Sequence, residues 1–127
     1  MKRLRGHPEL GRRLIWLDSI SDEFLDLVYA GCQCLIAASE GEGFGLPLIE
    51  AAQHGIPIIA RDIPVFRGSC CRQCFLFEAS EPAQMADAVK EWIGLNARNL
   101  APQSSGMSWL TWEESAFMLV QKVEHFQ

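Results

Sequence analysis

The chain is predicted to be an α/β domain built on a parallel sheet, and three features of its sequence carry that expectation. Short apolar runs of strand length recur along it. Segments with helical spacing separate them, the pattern of parallel strands joined by crossover helices. A glycine-rich loop follows one run directly and opens into a helix, at the strand end where such sheets hold ligands.

The elements follow in order. Leu14-Ile15-Trp16-Leu17 is read as a buried strand. Ser21 is a plausible N-cap, with Asp22 and Glu23 in the first turn of a helix through about Ala30. Phe24, Leu25, Leu27 and Val28 give that helix its expected buried face. Cys34-Leu35-Ile36-Ala37-Ala38 is the next strand, and a helix from about Leu46 ends at Gly55, a good residue past a helix end. Ile56-Pro57-Ile58-Ile59-Ala60 is a third strand, with the proline tolerable near its start.

Residues 61–67 read as a loop, and Phe75-Leu76-Phe77 as a short fourth strand. Ser80-Glu81-Pro82 starts a helix through about Leu95, with Met85, Ala88, Val89 and Trp92 at helical spacing as a core stripe. Residues 96–106 form a polar connector. Thr111-Trp112-Glu113-Glu114 is a capping box for a closing helix within 107–127 that carries Ala116, Leu119, Val120 and Val123.

A length of 127 residues sets a limit of one domain, and 49% hydrophobic content suffices for a packed core. A net charge of -5 argues against a general nucleic-acid binder, so no nucleic-acid partner is expected. No run reaches the length of a membrane span and no signal-peptide pattern opens the chain, which makes a cytoplasmic protein the default. The five cysteines speak against a disulfide framework, and Cys71-x-x-Cys74 lacks the second ligand pair of a metal site. His7, His54 and His125 stand singly, so no metal is expected.

Chemistry concentrates in Glu42-Gly43-Phe44-Gly45-Leu46-Pro47-Leu48-Ile49-Glu50. Gly43 and Gly45 free the backbone for unusual φ/ψ and close approach to a ligand. Pro47 suits a helix first turn, whose amides and dipole form an anion site. Glu42 precedes that end and Glu50 lies about one turn inside it, both placed to accept hydrogen bonds from sugar or ribose hydroxyls. An ordinary strand–loop–helix turn with surface glutamates fits these residues equally well.

This stretch resembles the E-x7-E motif of retaining glycosyltransferases of the GT-B fold, family 4. The likeness extends to Ser21-Asp22-Glu23-Phe24-Leu25 before it, and to His54-Gly55-Ile56-Pro57-Ile58-Ile59-Ala60 and Asp62-Ile63-Pro64-Val65-Phe66-Arg67 after it. Thr111-Trp112-Glu113-Glu114-Ser115-Ala116 resembles the start of the family's closing helix. The resemblance implies a single partial nucleotide-sugar-binding domain over 1–127: a Rossmann-like half of a GT-B fold, incomplete at its N-terminus. It assigns Glu42 to donor-sugar hydroxyls as the catalytic-site carboxylate, and Glu50 to the ribose. It assigns the backbone of Gly43, Phe44, Gly45 and Leu46 to sugar and phosphate.

The same resemblance implies a nucleotide-sugar as substrate, no cofactor, and transfer of a hexose to a glycan or lipid-linked acceptor in polysaccharide or lipopolysaccharide assembly, in the cytoplasm or peripherally at the membrane. It also implies a missing N-terminal acceptor domain or partner chain, so this chain is expected to be inactive alone. The other readings are a non-catalytic remnant, or a nucleotide- or partner-binding α/β module. Gly68-Ser69-Cys70-Cys71-Arg72-Gln73-Cys74 departs from the family, which has something like Glu-Val-Ala-Gly there. One codon choice for these residues, shifted by one base, reads Glu-Val-Ala-Ala-Gly-Asn, which suggests a short compensated frameshift.

Overall fold

A three-stranded parallel sheet organises the larger part of the chain. The computed structural model describes residues 2–70 and 72–124, and the chain divides into two compact units, Met1–Gly31 and Cys32–Gln127.

In Met1–Gly31, α1 (Lys2–Arg5) and α2 (Asp22–Gly31) flank an irregular segment. The strand expected at 14–17 does not form. Leu14 makes only an isolated bridge to Leu10, and Ile15, Trp16 and Leu17 are exposed. An apolar run of this length becomes a strand only with neighbours to pair with, and among the described residues it has none. Helix α2 begins as expected, with the Ser21 Oγ accepting from the Phe24 amide at 3.3 Å. Its inward face is Leu25, Val28 and Tyr29, of which Tyr29 is buried. Phe24 and Leu27, expected inside, are exposed. The i, i+3, i+4 spacing therefore runs one stripe away from the one read in the sequence.

In Cys32–Gln127, β1 (Leu35–Ala37), β2 (Ile58–Arg61) and β3 (Phe75–Phe77) lie in the order β1-β2-β3. Leu35 pairs with Ile58 and Ala37 with Ala60, while Ile59 pairs with Phe75 and Arg61 with Phe77. The central strand is fully buried at Ile58, Ile59 and Ala60, the continuous apolar run that a parallel sheet covered by helices demands. Ile59 joins Phe77, Trp92 and Ala101 in one core cluster, with Met85, Ala88, Val89 and Leu95 packed against it. These last four and Trp92 are the stripe of α5 (Pro82–Ala97), so the sequence reading of that helix holds.

Helix α3 (Leu46–Gln53) packs on β1 and β2 and buries Leu48, Ala51 and Ala52. It closes in a Schellman motif. Gly55, at φ 66°, donates to the Ala52 carbonyl (3.0 Å) and Ile56 to that of Ala51 (3.1 Å). This turn delivers the chain directly into β2.

Residues 61–67 are not a loop. Arg61 ends β2, and Pro64 opens α4 (Pro64–Cys70), whose Phe66 and Cys70 are buried. Proline at a helix start needs no amide hydrogen, so the residue that suggested a loop fits a helix. A disulfide joins Cys70 to Cys74, Cα–Cα 5.6 Å apart. It is a single local bond over a separation of four residues, which the cysteine count did not announce, and not a framework. Cys71 lies outside the described residues, as does His125, while Cys32 and Cys34 are free thiols.

The 96–106 connector contains a buried anchor. Ser104, in a short 3-10 turn over Ser104–Gly106, is fully buried and its hydroxyl donates to the Ile56 carbonyl at 2.7 Å. The final helix α6 (Trp112–Glu124) starts at the expected capping box: the Thr111 hydroxyl accepts from the Glu114 amide (3.1 Å), and the Glu114 carboxylate from the Thr111 amide (2.7 Å). Leu119, Val120 and Val123 on it are exposed.

Candidate functional site

The loop over residues 38–45 leaves the carboxyl end of β1 and turns into α3, so the glutamate motif lies at the sheet edge where open α/β folds hold ligands. Gly45 caps α3 in a left-handed conformation, φ 84° and ψ 34°, and is itself buried. A Cβ at this position would stand 3.3 Å from Phe66 Cε1. The sign of φ favours glycine here, and a Cβ would in addition press on the Phe66 ring. Gly43 carries neither, since its φ is not positive and a Cβ there would meet open space. The unusual backbone expected at both glycines occurs at Gly45 alone of the two.

Glu42 is exposed in the loop. Glu50, the fifth residue of α3, is half-buried on the helix. Pro47 sits in the first turn, and the Leu48 amide closes that turn on the Gly45 carbonyl at 3.0 Å. The peptide dipoles of the helix leave its amino end partially positive, towards the loop that holds Glu42 and Phe44.

A cleft of about 430 Å³ runs along this helix. Phe44, Leu46, Ile49, Glu50 and Gln53 form one wall, and Trp109, Leu110, Thr111, Trp112 and Ser115 the other. A neighbouring hollow of about 300 Å³ shares Phe44, Ile49, Trp109 and Leu110 and reaches Gly68 and Ser69. The structure therefore brings Phe44, Leu46 and Glu50 together in one cleft, and Glu42, Gly43 and Gly45 are not among its lining residues. Trp109 and Trp112 carry no site signal in the sequence: Trp112 reads as part of a cap, and nothing in its spacing shows that the start of α6 faces α3.

The segment after β2 borders the same sheet edge. Asp62 accepts two hydrogen bonds from the Arg67 guanidinium, one of them 2.8 Å from Nη2. Those bonds hold the Asp62 carboxyl below its ordinary pKa and raise that of Arg67. Arg61 donates from Nε to the Ala38 carbonyl (3.1 Å) and from Nη1 to that of Ala79, with its guanidinium 5.5 Å from the Phe77 ring centroid. Among the described residues, no three or more His, Cys, Asp or Glu side chains gather so as to hold a metal ion. No described helix is long and apolar enough to cross a membrane.

A parallel sheet with its loop–helix junction at the carboxyl edge defines the class: a Rossmann-like α/β domain, in keeping with half of a GT-B glycosyltransferase. The pattern of the family described as glycosyl transferases group 1 matches residues 1–104, and the chain belongs to that family. It is 48% identical over 122 residues, 96% of its length, to the serotype-specific mannosyltransferase WbdA of Escherichia coli, of which it spans 15%. It is 40% identical over 58 residues to the O-antigen chain mannosyltransferase RfbU of Salmonella typhimurium, 46% of this chain and 16% of that one. Similarity extends at 36% identity over 61 residues to the GtfA subunit of a UDP-N-acetylglucosamine–peptide N-acetylglucosaminyltransferase of Streptococcus gordonii, 48% of this chain and 9% of that one.

Proposed function

We propose that the chain is the donor-binding portion of a retaining GT-B glycosyltransferase of family 4, and that its donor is a nucleotide-activated hexose. Mannose is the favoured hexose, since WbdA and RfbU are both mannosyltransferases by name. Glu50 takes the ribose hydroxyls and Glu42 the hydroxyls of the donor sugar. The backbone of residues 43–46, with the amino end of α3, takes the diphosphate. The acceptor is a growing O-antigen-type glycan or its lipid-linked form, met at the cytoplasmic side or peripherally at the membrane. The reaction needs no metal or other cofactor.

The observation that carries this reading is the junction at Gly45. Its left-handed turn leads from the exposed loop that carries Glu42 into the helix that carries Glu50. Carboxylates there can divide sugar from ribose while amides and dipole hold the phosphates between them. Transfer itself needs an acceptor and charge stabilisation from across a closed cleft, and the chain spans only 15% of the WbdA it matches, so in this reading these residues by themselves bind donor without turning it over. The alternative reading is a non-catalytic remnant that keeps the nucleotide site.

Calorimetric titration of the chain with UDP, GDP and ADP, free and as hexose conjugates, tests the proposal. Saturable binding of one base, tightened by its hexose, is the expected result. Absence of binding by all six would remove the donor-site reading.

A further inference from the structure

Two observations converge on the loop that carries Glu42. At its start, the Ala38 carbonyl accepts from Arg61 Nε at 3.1 Å. At its end, Gly45 rests against the buried ring of Phe66, where a Cβ would approach to 3.3 Å. Both supports come from the short stretch that runs from the last residue of β2, Arg61, into α4. That segment is itself stitched together by the paired Asp62 and Arg67 side chains and by the Arg67 amide on the Ile63 carbonyl, 3.0 Å.

Arg61 also reaches the other way. Its Nη1 donates to the Ala79 carbonyl in the turn after β3, and its guanidinium lies over the Phe77 ring at 5.5 Å. A single guanidinium on the central strand thus ties together the chain leaving all three strands. Its planar fork has donors on separate nitrogens and can bridge two carbonyls at fixed geometry, which a lysine ammonium on a flexible stem cannot do. Half-buried as Arg61 is, losing the side chain would leave both carbonyls short of their partner.

We infer that Arg61 is a positioning residue for the donor sugar: it fixes the start of the loop over residues 38–45, and so holds Glu42 at the distance from α3 that a nucleotide-hexose requires. The inference rests on the donor-binding reading for its consequence, and on hydrogen bonding alone for its structural part. Glu50 stands on α3, and the phosphate end of the loop at Gly45 is held by Phe66 and not by Arg61, so Arg61 governs recognition of the hexose more than that of the nucleotide.

The test compares the full chain with Arg61→Met, which keeps the stem and removes the donors, and Arg61→Lys, which keeps the charge and at most one bond. Amide hydrogen exchange is the first readout. Exchange over residues 39–45 should quicken about tenfold in Arg61→Met and less in Arg61→Lys, with β2 and α5 unchanged. Unchanged exchange there, or uniform quickening over the whole unit, would overturn the inference. Titration with a free nucleoside diphosphate and its hexose conjugate is the second. The wild-type advantage of the conjugate should shrink about tenfold in Arg61→Met, with the free nucleotide shifted less than about twofold. An advantage retained in full sinks the sugar-positioning role and leaves the donor site standing. Wild-type chain that binds neither ligand sinks the donor site, and the exchange data still decide whether Arg61 holds the loop. Should Arg61→Met fail to fold, Arg61→Lys carries both readouts with the same signs.

Discussion

Gly43 and Gly45 lie two positions apart in one loop yet carry different constraints. At Gly45 a substituent meets both the left-handed φ of 84° and the Phe66 ring, whereas at Gly43 it meets neither. Gly45→Ala is therefore expected to cost about 1–2 kcal/mol or more in urea unfolding, and Gly43→Ala to stay within about 0.5 kcal/mol of wild type. Equal losses at both sites would contradict the assignment of the turn to Gly45. Asp62 supplies a pH-dependent contribution. Arg67 depresses its folded-state pKa, so the pair stabilises the fold fully above the ordinary carboxylate range and is lost as pH falls through the depressed value. Asp62→Asn should lower the denaturation midpoint at neutral pH, and the gap from wild type should close as pH drops below about 4. A gap independent of pH would show that the two side chains do not pair in solution.

At the scale of the element, legibility follows how local the determining interactions are. Helix α5 was readable because its cap and its stripe are both local: Glu81 and Gln84 form the capping box and Pro82 stands in the first turn. Helix α3 was readable from its proline and the glycine that ends it. Helix α4 was missed because its seven residues owe their place to burial of Phe66 and Cys70, a tertiary cause that no short pattern announces. The run at 14–17 was misread for the converse reason, since apolar composition cannot say whether a neighbouring strand is present. The motif was legible as residue types, while the cleft wall formed by Trp109 and Trp112 depends on how the chain returns to α3.

Two of these elements can be tested by small changes. Thr111→Ala removes the cap of α6 and should cost that helix about 1 kcal/mol, visible as reduced helical circular dichroism. Ser104→Ala strips the Ile56 carbonyl of its buried partner and should destabilise the larger unit by about 1–3 kcal/mol in chemical unfolding, far more than an exposed serine. A Ser104→Ala variant as stable as wild type would mean that the hydroxyl does not anchor the connector.

For the molecule as a whole, the chain spans 15% of the WbdA length it matches, and many of its large apolar side chains face outward. Trp112, Phe117, Leu119, Val120 and Val123 are exposed along α6 alone. The donor site as proposed nonetheless lies within Cys32–Gln127, between one loop and one helix, so binding and turnover should separate. The isolated chain is expected to bind nucleotide-hexose and to release no free nucleotide from it in the presence of acceptor glycan. The frameshift reading of residues 68–74 has its own check in the coding DNA, where codons unable to encode Glu-Val-Ala in a shifted frame would end it.

The most direct measurement is the affinity of a nucleotide-hexose for the chain and for Glu50→Ala, by calorimetry under identical conditions. The account predicts saturable binding by the chain and a loss of about tenfold or more in the variant, the cost of removing a charged hydrogen-bond acceptor from the ribose. Equal affinity in the two proteins would contradict the placement of the donor at the Glu42–Glu50 junction.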